Sequence, residues 1–296
     1  MSTQITTGFS EQFTSEVALL LQQHSSRFAS SVLSRNFTGK DAKAVEQIGS
    51  VTAQKRTTRH ADTPQIDTPH SARWIYPVDY EFADLIDQQD ELRAIASFES
   101  AYVQNAAHAL RRAQDDEIIA AFFSDTTKTG EDGGTTQSWN TYSTSTDTDH
   151  LVAAGGVGMT VAKLRSAKKA LMADHVDIDV DPLYVGIAAS QHDDLLGETL
   201  ATSLDYTTRP ALVDGRISSF MGFNFINSER LPTGAGSARS CPAYARSGMM
   251  VGFWNDVTGR VSERDDKSYA TQVYASTTIG ATRLEEAKVV EILCAE

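Results

Sequence analysis

Apolar positions recur at helical spacing over a long stretch in the first half of the chain. Phe98, Tyr102, Ala106, Leu110 and Ala113 fall on one stripe, while Glu99, Arg111, Arg112, Asp115, Asp116 and Glu117 lie mostly off it, as in an amphipathic helix. The run continues through Ile118, Ile119, Phe122 and Phe123 without proline or glycine, and Ser97 stands where an N-cap belongs. A helix over 98–123 would be roughly 39 Å long. Ahead of it, Ala72 to Tyr80 is aromatic and extended in character, and the acidic stretch Asp84 to Asp90 connects the two. A projecting hairpin feeding an unusually long helix suggests a protein that works by contacting copies of itself.

Elsewhere the pattern is more broken. Residues 9–34 place Phe13, Val17, Leu20, Leu21, Phe28 and Val32 at mixed three- and four-residue intervals, predicting an amphipathic helix that packs either on its own domain or on a neighbouring subunit. Val45 to His60 favours extended structure. Asp62 to Pro69, where Asp-Thr-Pro occurs twice, reads as the tip of a long hairpin or loop. Residues 124–150 are rich in Thr, Ser, Asp and Gly and predict a long exposed loop or open hairpin. A second helix is expected over 160–174, a strand over 183–189 and a short helix over 190–196. The remainder reads as short strands at 217–226, 243–251, 270–275 and 288–293. Two main helices against discontinuous sheets make an α+β arrangement.

Composition narrows the function. The 296 residues carry a net charge of −13, and all of the acidic excess lies beyond residue 70, where 19 basic face 33 acidic side chains, so the main body is acidic. Such a surface disfavours tight binding to nucleic-acid phosphates or anionic lipid, since both rest on Lys and Arg. Cys241 and Cys294 are far apart in sequence, without CxxC spacing, and are expected to be buried thiols. No signal peptide is apparent at the start, and Val17 to Leu21 is too short to span a bilayer. Folding in a cytoplasm, with no membrane partner, is the expectation.

Catalytic chemistry finds no foothold. Asp177, Asp179 and Asp181 begin like a calcium loop, but Pro182 stands where glycine is needed and Ala188 where the bidentate glutamate should be. Period two makes them one face of an extended segment. Gly155-Gly156-Val157-Gly158 precedes a helix without the residues of a phosphate loop or dinucleotide fingerprint. The seven histidines, at 24, 60, 70, 108, 150, 175 and 192, show no ligand spacing. No cofactor, metal or catalytic residue is expected.

Taken in order, the elements resemble the tailed-phage major capsid protein family with the HK97-like fold. Arg73 to Pro77, followed by Leu85 to Asp90, Arg93 and the helix with Asp115-Asp116 ahead of Ile118-Ile119, is similar to the family's extended loop leading into its spine helix. Gly215 to Phe223 with Ser228 to Pro232, and Gly280 to Leu284 before Val289 to Ile292, resemble further strands and turns of such proteins. The resemblance implies an N-terminal arm over 1–40, an extended β-hairpin loop over 41–80 and a peripheral domain over 81–181 with the spine helix 98–123. An axial domain over 182–285 and a C-terminal strand over 286–296 returning to the peripheral domain would complete it.

Its implied function is the major capsid protein of a tailed double-stranded DNA bacteriophage, self-assembling into the icosahedral head as hexameric and pentameric capsomers. The subunit would be made in the host cytoplasm and reside in the virion capsid. Portal, scaffolding and decoration proteins are further candidate partners, and DNA would be enclosed without sequence-specific binding. Candidate interface residues are Phe13, Val17, Leu21 and Phe28 in the arm. Lys55, Arg56, Arg59, Arg73, Trp74 and Tyr76 belong to the loop, facing Asp115, Asp116 and Glu117 on a neighbour's helix. Some members cross-link subunits through a loop lysine; Lys55 is read here as an ordinary surface charge. An encapsulin-like nanocompartment shell is the near rival, and a soluble α/β enzyme the distant one.

Overall fold

A computed structural model describes residues 22–59, 62–63, 65–86, 99–144, 149–198, 217–234 and 238–296. The chain divides into two compact units. Among described residues the first holds 22–25, 79–86, 99–113 and Asn255–Thr277, and the second holds the rest.

In the second unit, strands β1 (Leu33–Asn36), β2 (Ala42–Ile48) and β3 (His70–Ile75) open the chain. Strands β2 and β3 pair antiparallel from Ala42↔Ile75 to Ile48↔His70, with a bulge at Lys43/Val45. The amide of Gly49 donates to Pro69 O (2.8 Å) and closes the ladder. Strand character therefore stops at residue 48, and the described part of 49–69 is loop, a wider projection than the extended run expected to residue 60. Strand β4 (Val78–Ile86), which from residue 79 belongs to the first unit, begins in the extended run expected to Tyr80 and continues into the acidic connection expected from Asp84. It alternates exposed and half-buried residues as a one-sided strand must, and neighbours β13.

Helix α1 (Glu99–Phe122) realises the expected long helix, about 36 Å at 1.5 Å per residue. Between α1 and residue 150, where a long loop or open hairpin was expected, the described residues form a small hairpin, β5 (Thr127–Thr129) and β6 (Thr135–Gln137), and a short helix α2 (Trp139–Ser143). The hairpin adds to β3 through Arg73↔Thr129, giving a four-stranded sheet ordered β2-β3-β5-β6. Gly133, at φ 66°, sits under Trp74 and Tyr76, where a Cβ would come within 3.0 Å of the tyrosine oxygen. Its turn can close against the rings only without a side chain.

The main core of this unit is a six-stranded sheet ordered β7-β14-β11-β8-β10-β9. Its strands are β7 (Leu151–Val152), β8 (Leu183–Ile187), β9 (Ser219–Phe220), β10 (Phe223–Asn227), β11 (Ala238–Ala245) and β14 (Val289–Ala295). Helices α3 (Val161–Ala173) and α4 (Ala189–Gly197) match the expected pair. Leu164, Ala167, Ala170 and Leu171 of α3 share one core cluster with Val185, Ala243 and Ile292 of the sheet. Cys241 and Cys294 lie buried in it as free thiols; the hydrogen bond that the Cys241 thiol donates to Cys294, together with burial, pushes the Cys241 thiol up.

In the first unit, Ala106 and Leu110 of α1 pack with Ala275 against Tyr80, Phe82 and Val257. The last two belong to β4 and to β12 (Met249–Arg264), which is joined by a short turn to β13 (Ala270–Arg283).

Two sequence expectations are overturned. The helix expected over 9–34 is absent from its described part: 22–32 is irregular and Leu33–Asn36 forms β1, pairing parallel with β12 from Leu33↔Met250 to Asn36↔Phe253. The amides of Arg27 and Phe28 donate to the Asp115 carboxylate, so this backbone finds side-chain acceptors where helix bonds were expected. The Asp177–Asp181 segment is a turn, not a strand face: Asp181 N donates to Asp177 O at 2.9 Å, and the Asp181 carboxylate accepts from the amide and hydroxyl of Ser247.

Candidate assembly interface

The projecting loop takes its position from a buried polar cluster at its root. On β3, Arg73 Nε donates to Leu284 O at 2.8 Å and its Nη2 to Glu286 Oε2 at 2.5 Å. Gln47 on β2 donates to the same Leu284 carbonyl at 2.7 Å. The Glu286 carboxylate is shared: its Oε1 faces Arg283 Nε at 3.4 Å.

Arg283 is 0% exposed. Its Nη1 donates to Phe122 O at 2.7 Å and its Nη2 to Ser124 O at 3.3 Å, and it lies 5.0 Å over the Trp139 ring. It thereby caps the C-terminus of α1, where carbonyls lack helical partners and the dipole favours a cation. Burial pulls the Arg283 pKa down, while Glu286 works against that shift. Beside this cluster, Gly280 passes so close to Tyr76 O that a Cβ would lie 2.2 Å from it. Glycine is required at this crossing.

The candidate residues separate into two groups. Phe28 is fully buried, its ring 6.1 Å from Phe122, which in turn lies 4.5 Å from Tyr244. Asp115 is 0% exposed. It accepts from Ser26 Oγ (2.5 Å), Arg27 N (2.9 Å) and Phe28 N (3.1 Å). Asp116 forms a forked ion pair with Arg230, whose Nε lies 2.6 Å from Oδ1; this hydrogen bond raises the Arg230 pKa.

Phe28, Arg73 and Asp115 are thus buried with partners in their own subunit, and Asp116 is paired there. The burial of Phe28, Arg73 and Asp115 departs from the expectation that they face a neighbour, whereas the paired Asp116 carboxylate stays exposed. The physical reason is tertiary: these polar groups close the chain's own irregular segments and helix end.

The second group stays at the surface. Lys55, Arg56 and Arg59 are exposed in the loop, and Arg56 Nε bonds only the nearby Thr58 O (3.1 Å) among the contacts seen. Tyr76 is 42% exposed. Trp74 is half-buried, donates Nε1 to Gly130 O (2.9 Å) and lies under the Lys43 ammonium at 5.5 Å. Trp74, Tyr76 and Val78 line a cleft of about 320 Å³ with Glu117, Ala120 and Lys128. Phe13, Val17 and Leu21 lie outside the described residues.

Arg230, Arg283 and Glu286 were not singled out as functional from sequence. Arg230 and Arg283 stand inside the quoted motifs Ser228 to Pro232 and Gly280 to Leu284, and that placement was the available signal. Among the described residues no three of His, Cys, Asp or Glu converge into a metal cage, and no helix is long and apolar enough to cross a membrane.

Comparison with known proteins agrees with this architecture. No curated protein matches the chain in sequence. Among solved structures, the capsid of cyanophage P-SCSP1u is similar at TM-score 0.71 and 16% identity, over 100% of this chain and 96% of that one. The capsid of cyanophage Pam1 gives 0.73 and 14%, over 98% and 97%. The capsid of an empty GTA particle gives 0.72 and 13%, over 100% and 98%. The likeness spans both chains almost entirely and establishes an α+β, HK97-like capsid fold. A family model described as phage capsid protein matches residues 5–296, and the chain therefore belongs to the phage capsid protein family.

Proposed function

We propose that this phage capsid protein is the major shell subunit of a tailed double-stranded DNA bacteriophage, assembling as hexameric and pentameric capsomers into an icosahedral head. The observation that carries the reading is the family match over residues 5–296. The protein's role is geometric, with no catalytic step. Many modest contacts, repeated by closed symmetry, suffice to hold such a shell. In this reading 1–40 is the arm, 41–80 the extended loop, 81–181 the peripheral domain, 182–285 the axial domain and 286–296 the returning strand.

The loop lies over a neighbouring subunit. With Asp115 and Asp116 engaged at home, Lys55, Arg56 and Arg59 reach other carboxylates of the acidic body, and Tyr76 beside its cleft is the aromatic contact. Portal, scaffolding and decoration proteins are partners at the level of the particle. The DNA is enclosed without being read, and synthesis takes place in the host cytoplasm.

Negative-stain electron microscopy of the expressed full-length chain tests the proposal. Shells, capsomers or tubes are expected, and a triple Lys55→Glu, Arg56→Glu, Arg59→Glu variant should fold but lose them. A wild-type chain that stays monomeric under assembly-promoting conditions would overturn the reading.

A further inference from the structure

The first unit contains a pair of histidines that the capsid role does not use. His24 Nδ1 lies 3.1 Å from His108 Nε2 although the residues are 84 positions apart, so no sequence spacing could have disclosed them. The rings meet edge to face, with centroids 4.7 Å apart and planes at 85°. His108 Nδ1 lies 2.7 Å from His24 O. A carbonyl can only accept, so Nδ1 carries the proton and Nε2 presents its lone pair toward His24.

We propose that His24 and His108 form a two-imidazole site for a divalent transition-metal ion, which clips the segment 22–24 onto α1. Two imidazole nitrogens bound at about 2.0–2.1 Å with a tetrahedral angle stand about 3.3–3.4 Å apart, close to the observed 3.1 Å. The ion takes the place between the rings of the one His24 ring proton, which moves from Nδ1 to Nε2 by exchange with solvent, so each imidazole stays neutral and binds through its free nitrogen. His24 is exposed and His108 half-buried, so solvent can fill the other coordination positions.

An all-imidazole donor pair selects zinc, copper or nickel over magnesium and calcium, which require oxygen ligands. Neighbouring bonds hold the geometry ready. Gln22 Nε2 donates to Asn105 Oδ1 at 3.2 Å, and Arg112 Nη1 donates to Gln22 Oε1 at 2.5 Å and to Gln23 O at 3.3 Å. The positive charge of Arg112 opposes a cation, so the site is weak and responds to metal concentration. Because the ion is bridged only when the segment is docked, binding stabilises the docked state.

Calorimetric titration of Zn²⁺ into the full-length chain tests this, with His24→Gln, His108→Gln and His175→Gln variants and with Mg²⁺ in place of Zn²⁺. One Zn²⁺ per chain is expected. It should weaken at least about tenfold in each of the first two variants, be unchanged in His175→Gln, and have no Mg²⁺ counterpart. Electron paramagnetic resonance of the Cu²⁺-loaded chain should show two imidazole nitrogens. Absence of saturable Zn²⁺ binding, retention of full affinity in either His24→Gln or His108→Gln, or a single coordinated nitrogen would overturn the proposal. The first two variants should keep the wild-type circular dichroism spectrum, which separates loss of a ligand from loss of fold.

Discussion

Replacing Asp115 by alanine separates a residue that serves its own subunit from one that serves a neighbour. The carboxylate is fully buried and accepts from three donors, Ser26 Oγ, Arg27 N and Phe28 N. Hydrogen bonds to a charged acceptor contribute about 1.5–3 kcal/mol each, and a buried donor left unpaired costs about 1–3 kcal/mol. The Phe28 amide is buried and would bear the full penalty. The Arg27 amide is partly buried and the Ser26 hydroxyl can rotate, so both recover some bonding to water.

The sum is roughly 3–4 kcal/mol, a large share of the 5–15 kcal/mol that holds a typical domain. Urea unfolding of the unassembled chain, followed by far-ultraviolet circular dichroism, measures it. Asp115→Asn keeps one acceptor but aims an amide N–H₂ at the backbone donors, and should lose about half as much. If Asp115→Ala unfolds within about 1 kcal/mol of wild type while assembly fails, the carboxylate works between subunits and the reasoning from its intrachain bonds is refuted.

Two further outcomes follow from the buried charges and the C-terminus. Glu286→Gln leaves Arg73 and Arg283 without their common counter-charge and should destabilise the unassembled chain by about 3 kcal/mol in the same unfolding assay; a change under about 1 kcal/mol would mean that neither guanidinium depends on it. The Arg239 guanidinium, with Gln191 and Ser190, holds the Glu296 side chain at about 2, below its ordinary 4.5. A depressed carboxylate contributes its stability above the ordinary value and loses it as pH falls toward about 2. Carbon-detected magnetic resonance titration should therefore find the Glu296 midpoint near 2, and Arg239→Gln should return it toward 4.5; an unchanged midpoint in the variant would contradict the assignment.

Much of the fold was legible because the decisive signals were local. Helix α1 announces itself through the stripe from Phe98 to Ala113 and the absence of breakers to Phe123, and α3 and α4 through the same period. The described part of the first segment, residues 22–34, departs from the expected helix although Phe28 and Val32 keep helical spacing. At 22–36 that period competes with tertiary bonds to Asp115 and with pairing of β1 against β12, and those bonds prevail. The turn at Asp177–Asp181 fails for a similar reason: alternation suggested a strand, but Ser247 and the turn's own amides hold its carboxylates.

The chain itself determined the long helix, the projecting segment between two strands, the acidic body and the order of motifs that resembles a capsid subunit. These depend on residues near one another in sequence, where spacing and turn chemistry act directly. Tertiary structure alone decided which charges are paired within the chain. Asp115, Arg73 and Asp116 look like surface charges in the sequence, yet each meets its partner across 87 or more positions, at Phe28, Glu286 and Arg230. A buried charge is tolerated only where the fold supplies compensating bonds, and no local pattern records where such a partner will come from.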